Sequence, residues 1–192
     1  AGRRGDATLQ PGTYDGGREE TDVVAELERW QPVTYDGNVV DSAVSRFTIP
    51  EASSGEVLGL GPAQRPIPAK VGMTVYGSGR TSGVVSARVA AVNGIVDVTG
   101  WGTCRFEDQI ILEPGVAWGG DSGMYCGWGG LIGHGFAGND RITVVNQAAN
   151  VERILKVRFP RLLLGPTGVV ATGTDVLAFQ LPLTLAFLLA SL

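Results

Sequence analysis

The stretch Trp118–Cys126, "WGGDSGMYC", holds the residues of this 192-residue chain best suited to chemistry. A serine hydroxyl is a poor nucleophile until a base accepts its proton. Glycines on both sides of Asp121-Ser122 let the backbone turn sharply and let a carbonyl group approach closely. In such a loop the N–H groups of Gly120 and Ser122 can point at one spot, an oxyanion hole for the negative charge that develops during acyl transfer. Asp121 is expected to turn inward and fix the loop by a polar contact. The same residue types also make an ordinary turn, so the motif alone describes both. The base is the difficulty, because the chain has one histidine, His134, and it follows the serine.

The elements that must position these residues read mostly as short strands. "GMTVYGSG" and "GVVSARVAAVNGIVDVTGWG" are β-branched runs, and Asn93-Gly94 inside the second predicts a hairpin turn. "DQIIL", "GLIGHGFAG" and "DRITVVNQ" add three strands, with His134 on the middle one. "NVVDSAVSRFTI" alternates as a strand carrying Asp41, whereas "DVVAELERW" suits a strand or a short helix. "PEASSGEVLGLGPAQRPIPAK" reads as a long connection between two halves. In "NVERILKV" the spacing of Val151, Ile154, Leu155 and Val157 predicts a short amphipathic helix. Strand after short strand with one late helix predicts an all-β antiparallel barrel or sandwich. The final segment, Val176–Leu192, is almost wholly apolar but contains Gln180 and Pro182. A membrane span takes roughly 20 apolar residues, so the expectation is an arm buried against a partner or the barrel, with membrane contact the lesser alternative.

Bulk composition removes several classes of function. Gly 29 and Pro 10 beside only 18% charged residues fit strands joined by tight turns. A net charge of −4, with no basic run, gives no footprint for nucleic acid or an anionic membrane. One histidine and two cysteines without short spacing make a poor metal site. "GRTSG" lacks the Gly-Lys-Ser/Thr ending of a phosphate loop, the Arg-Gly-Asp at residues 4–6 is weak evidence for receptor recognition, and no cofactor is implied. Cys104 and Cys126 could form one bridge or stay two buried thiols. "AGRRGD" has no apolar signal core, and residue 1 is expected to follow an internal cut.

Several ordered motifs together resemble the trypsin-like serine peptidases, in particular the short-looped bacterial and phage members. They are "GDATLQPGTYDGG" from Gly5, "VVDSAVSRF" with Asp41, "GRTSG" from Gly79, "GDSG" from Gly120 and "GHGFAG" from Gly133. The resemblance covers Gly5 to Val157 and implies a chymotrypsin-like double β-barrel. It divides the chain into the remainder of an N-terminal barrel (1–62), a C-terminal barrel with the serine loop (63–160) and a hydrophobic C-terminal arm (161–192). The first barrel is expected to be incomplete.

The resemblance further implies that Ser122 is the nucleophile and Asp41 the residue that orients a histidine. The family carries that histidine before the "GDxxLQPG" segment, so it would lie upstream of Ala1, in a separate segment or a partner chain. His134 falls where the family has a buried or cleft-lining residue and is expected to be an ordinary core histidine. Val116 and the strand Phe136, Ala137 and Gly138 would line the substrate pocket, without charge, against an extended polypeptide. A Cys104–Cys126 disulfide is also implied. The expectation is the C-terminal portion of a serine endopeptidase, with self-processing upstream of residue 1 as one route to it. Its alternative is a catalytically incomplete structural or assembly subunit, of virion or surface-filament type, packing through residues 176–192. An extracellular or virion setting fits either better than a cytoplasmic one. Met124 and Tyr125 depart from the small residues that usually follow the serine.

Overall fold

The computed structural model describes residues 2–49, 51, 55–100 and 102–159. The expected C-terminal arm, 161–192, lies outside the described residues. Three antiparallel strands, β1 (Ala7–Leu9), β2 (Val23–Trp30) and β3 (Ala43–Phe47), form an open sheet in the order β1-β2-β3. The ambiguous "DVVAELERW" is therefore strand: Ala25 and Leu27 are buried from one face while Glu26 points outward. The long connection contains a small hairpin, β4 (Glu56–Val57) with β5 (Gly61–Pro62).

The rest is a closed six-stranded antiparallel barrel. Its strands are β6 (Thr74–Gly79), β7 (Gly83–Thr99), β8 (Thr103–Glu113), β9 (Met124–Gly127), β10 (Leu131–Gly138) and β11 (Thr143–Gln147). They close in the order β10-β11-β8-β7-β6-β9. Val75, Val89, Ile110, Leu112, Ile132 and Val145 fill the interior together with Met124 and Cys126. Closure pairs each strand with a neighbour on both sides along part of its length.

Asn93-Gly94 does not form the predicted hairpin turn. It lies inside the continuous strand β7, where the register against β8 shifts on either side of Gly94. Asn93 adopts φ 55 and Asp108 on β8 adopts φ 59. The left-handed conformation that would have made a turn is spent on a bulge. Gly94 belongs there because a Cβ would come within 3.1 Å of Ile111 Cγ1. The chain instead reverses between Thr99 and Thr103, which pair with each other, and the Gly100 N–H donates to the Gly102 carbonyl.

The predicted helix forms as α1 (Ala148–Leu155). Ala148, Val151 and Leu155 pack with Val40, Val44, Tyr125 and Leu131 in a second apolar cluster that joins sheet, barrel and helix. Burying each of the larger aliphatic side chains contributes about 1.5–3 kcal/mol. Arg29 of β2 donates from Nη1 to the Leu155 carbonyl at 2.9 Å, satisfying an end carbonyl of the helix from the first sheet.

Candidate functional site

The serine loop is built around Asp121, which is 2% exposed. Its Oδ1 accepts the N–H groups of Thr81 at 2.7 Å and Ser82 at 3.0 Å. Its Oδ2 accepts the Trp118 N–H at 2.9 Å and the Ser82 hydroxyl. One carboxylate thus ties the loop to the β6–β7 turn, the "GRTSG" region whose part in the site the sequence did not reveal. Gly79 is required for the approach, since a Cβ there would lie 2.5 Å from Asp121 Oδ1.

Backbone bonds complete the loop. The Asp121 N–H donates to the Trp118 carbonyl, the Met124 N–H to the Asp121 carbonyl, and the Gly123 N–H to the Gly135 carbonyl of β10. Gly120 (φ 109) and Gly123 (φ 87) take the left-handed backbone that other residues resist. The N–H groups of Gly120 and Ser122 find no acceptor among the described residues. The half-buried Ser122 hydroxyl also has no hydrogen-bond partner there. Two uncommitted donors beside an uncommitted hydroxyl can serve acyl transfer.

Asp41 sits just before β3, between the buried Val40 and Ser42. Burial pushes its carboxyl pKa up to about 6. The carboxylate has no hydrogen-bond donor among the described residues, but the main chain is held firmly. The Asp41 N–H donates to Asn146 Oδ1 at 3.1 Å, and Asn146 Nδ2 donates to the Asp41 carbonyl at 2.9 Å.

His134 joins this group instead of Ser122. Its Nε2 lies 2.9 Å from Ser42 Oγ, 2.9 Å from Asn146 Nδ2 and 3.3 Å from the Asp41 carbonyl. Burial pushes the imidazole pKa down, and no hydrogen bond connects it to Ser122. The serine loop and Asp41 nevertheless dock on consecutive β10 residues: Gly123 on Gly135, and Asp41 beside His134.

Of the predicted pocket residues, Val116 is held by Thr143, which the sequence did not mark. Its fully buried Oγ1 accepts the N–H groups of Val116 at 3.0 Å and Ala117 at 3.1 Å. Phe136 occupies a bulge of β10 against β11, and its ring packs on Phe106 at 4.8 Å between centroids. β9 pairs with β10 only as far as Gly135, so Phe136–Gly138 carry no strand on that side. The implied disulfide is absent: Cys104 and Cys126 are buried free thiols. Cys126 lies inside the barrel, whereas Cys104 pairs with Val98 near the far end of the β7–β8 ribbon. Among the described residues no helix is long and apolar enough to cross a membrane.

A closed antiparallel barrel joined to a second, open β-sheet is the all-β arrangement of this chain. Solved structures share it. A glutamic acid-specific serine protease superposes with a TM-score of 0.57 at 21% identity, over 72% of this chain and 75% of its own. Thermobifida fusca protease A gives 0.54 at 17% identity, over 70% and 73%. Cellulomonas bogoriensis chymotrypsin gives 0.52 at 21% identity, over 80% and 88%. No protein-family profile and no curated protein sequence matches the chain. At these identities the likeness shows the fold, and the chain has the chymotrypsin-like all-β fold.

Proposed function

We propose that the chain carries the nucleophile half of a serine endopeptidase site. Ser122 attacks a peptide carbonyl, and the N–H groups of Gly120 and Ser122 receive the oxyanion. Asp41 holds a histidine that belongs to a polypeptide segment outside these 192 residues, the product of an upstream cut or a partner chain. That histidine takes the serine proton and passes it to the leaving amine. The substrate lies extended along Phe136–Gly138 as an added strand, with a small or apolar side chain near Val116, since Val116 and Phe136–Gly138 carry no charge. Polypeptide cleavage also suits an extracellular setting.

The observation that carries the reading is the serine loop itself, where Asp121 fixes a turn that leaves the Gly120 and Ser122 amides and the Ser122 hydroxyl uncommitted. The test is labelling with a fluorophosphonate probe. Protein assembled with its histidine-bearing segment is expected to form a Ser122 adduct, and Ser122→Ala none. Absence of an adduct in the intact assembly sinks the proposal.

A second reading, a structural or assembly subunit that keeps the fold without the chemistry, draws on one observation. The chain's single histidine is committed to Ser42, Asn146 and Asp41. The same labelling experiment separates the two, because the structural subunit forms no adduct with any partner present.

A further inference from the structure

We infer that Asn146 is the positioning residue for Asp41, acting as a side-chain peptide group that clamps both main-chain polar atoms of residue 41 to the barrel. The inference rests on the reading above that Asp41 is the acid of the site, and names what holds that acid in place.

Asp41 lies in the segment that precedes β3 and belongs to no strand, so its N–H and C=O have no ladder partners. A buried main-chain pair left unpaired is costly. The Asn146 carboxamide has the shape of a peptide unit, with one carbonyl and one N–H facing the same way. It supplies both missing bonds at once, accepting at 3.1 Å and donating at 2.9 Å, from a position 105 residues away. Asn146 is 0% exposed, so water offers it no alternative partners.

The clamp is also keyed to one orientation. Asn146 and His134 are register partners across β11 and β10. The other Nδ2 hydrogen faces His134 Nε2 at 2.9 Å. Rotating the amide by half a turn would set Oδ1 against the Asp41 carbonyl and Nδ2 against the Asp41 N–H, losing both bonds. Val40, 0% exposed and packed in the apolar cluster beside Val44, anchors the same segment from the preceding residue. Residue 41 is thus fixed along the chain direction by the amide and in depth by Val40.

The experiment is amide hydrogen exchange on Asn146→Ala, paired with fluorophosphonate labelling of the assembled protein. Exchange of the Asp41 amide is expected to quicken by about tenfold or more, as loss of a buried hydrogen bond and its companion implies, while amides of the β2–β3 ladder keep their protection. The labelling rate at saturating probe is expected to fall at least tenfold, with the half-saturating concentration unchanged. Unchanged Asp41 exchange, or loosening spread equally through β3, overturns the inference. If Asn146→Ala does not fold, wild-type protein decides. A through-hydrogen-bond NMR coupling between Asn146 Nδ2 and the Asp41 carbonyl carbon is expected, and its absence rejects the clamp. Wild-type protein that never labels refutes the catalytic reading, while the exchange and coupling measurements still judge the clamp.

Discussion

Replacing Asp41 by asparagine should make the protein more stable at neutral pH, although it removes the proposed acid of the site. Burial raises the Asp41 carboxyl from 3.8 to about 6, with no donor to offset it. The folded state therefore binds the proton more tightly than the unfolded chain. Stability contributed by this group is fully present below about pH 4 and is lost as pH rises through about 6. At about 1.4 kcal/mol per pH unit the penalty at pH 7 is at most about 3 kcal/mol. Asp41 retains partial contact with solvent, so the measurable range is about 1–3 kcal/mol. Urea unfolding of wild type and Asp41→Asn at pH 4 and pH 7 reads this directly. The variant should match wild type at pH 4 and exceed it at pH 7. His134, pushed down by burial, acts in the opposite sense: its contribution is present above pH 6.5 and lost as pH falls. Both proteins carry it, so it cancels in the difference. A wild type that is the more stable at pH 7, or a gap independent of pH, refutes the account of Asp41 as a buried carboxylate without a donor.

Three further outcomes are expected. Asp121→Ala leaves the N–H groups of Thr81, Ser82 and Trp118 without their acceptor, and should cost at least about 3 kcal/mol in urea unfolding. Gly133→Ala would place a Cβ 1.8 Å from the Asn146 carbonyl oxygen. It must force β10 away from β11 and should lower stability by more than about 3 kcal/mol, read as a drop in the thermal midpoint; a wild-type midpoint contradicts the strand pairing. Cys104 and Cys126, both buried and free, should react with dithionitrobenzoate only after denaturation, and reductant should leave the thermal midpoint unchanged.

What could be read from the sequence was whatever depends on near neighbours. The β-branched runs became β6 and β7, "DQIIL", "GLIGHGFAG" and "DRITVVNQ" fall on β8, β10 and β11, and the spacing of Val151, Ile154 and Leu155 became α1. Asn93-Gly94 misled because a left-handed residue serves a turn and a bulge alike, and only the β8 partner with Asp108 at φ 59 decides which. The hairpin Glu56–Pro62 was hidden in a connection whose glycines and prolines are equally at home in an irregular loop. Within the site, Ser122 and Asp41 stood out by motif and order. Thr143, Asn146 and the Thr81-Ser82 pair did not. Each acts on a residue 26 to 105 positions away, and an asparagine or threonine in a barrel strand carries no local mark of such a contact.

The arrangement around Asp41 bears on which reading of the site is the better one. Asn146, His134 and Ser42 all address the main chain of residues 41–42 or one another, and none supplies a hydrogen to the carboxylate. The fold fixes the position of an acid and leaves its charge uncompensated. A subunit kept only for packing gains nothing from this, because a neutral side chain at residue 41 would accept the same clamp without the cost of burial. Strain of this kind is characteristic of functional sites. An imidazole N–H brought to the carboxylate would lower its pKa and remove most of the penalty, so docking of a histidine-bearing segment and ionisation of Asp41 favour one another. On the proposed reading, such a segment would supply the base, since His134 is turned toward Asn146 and Ser42.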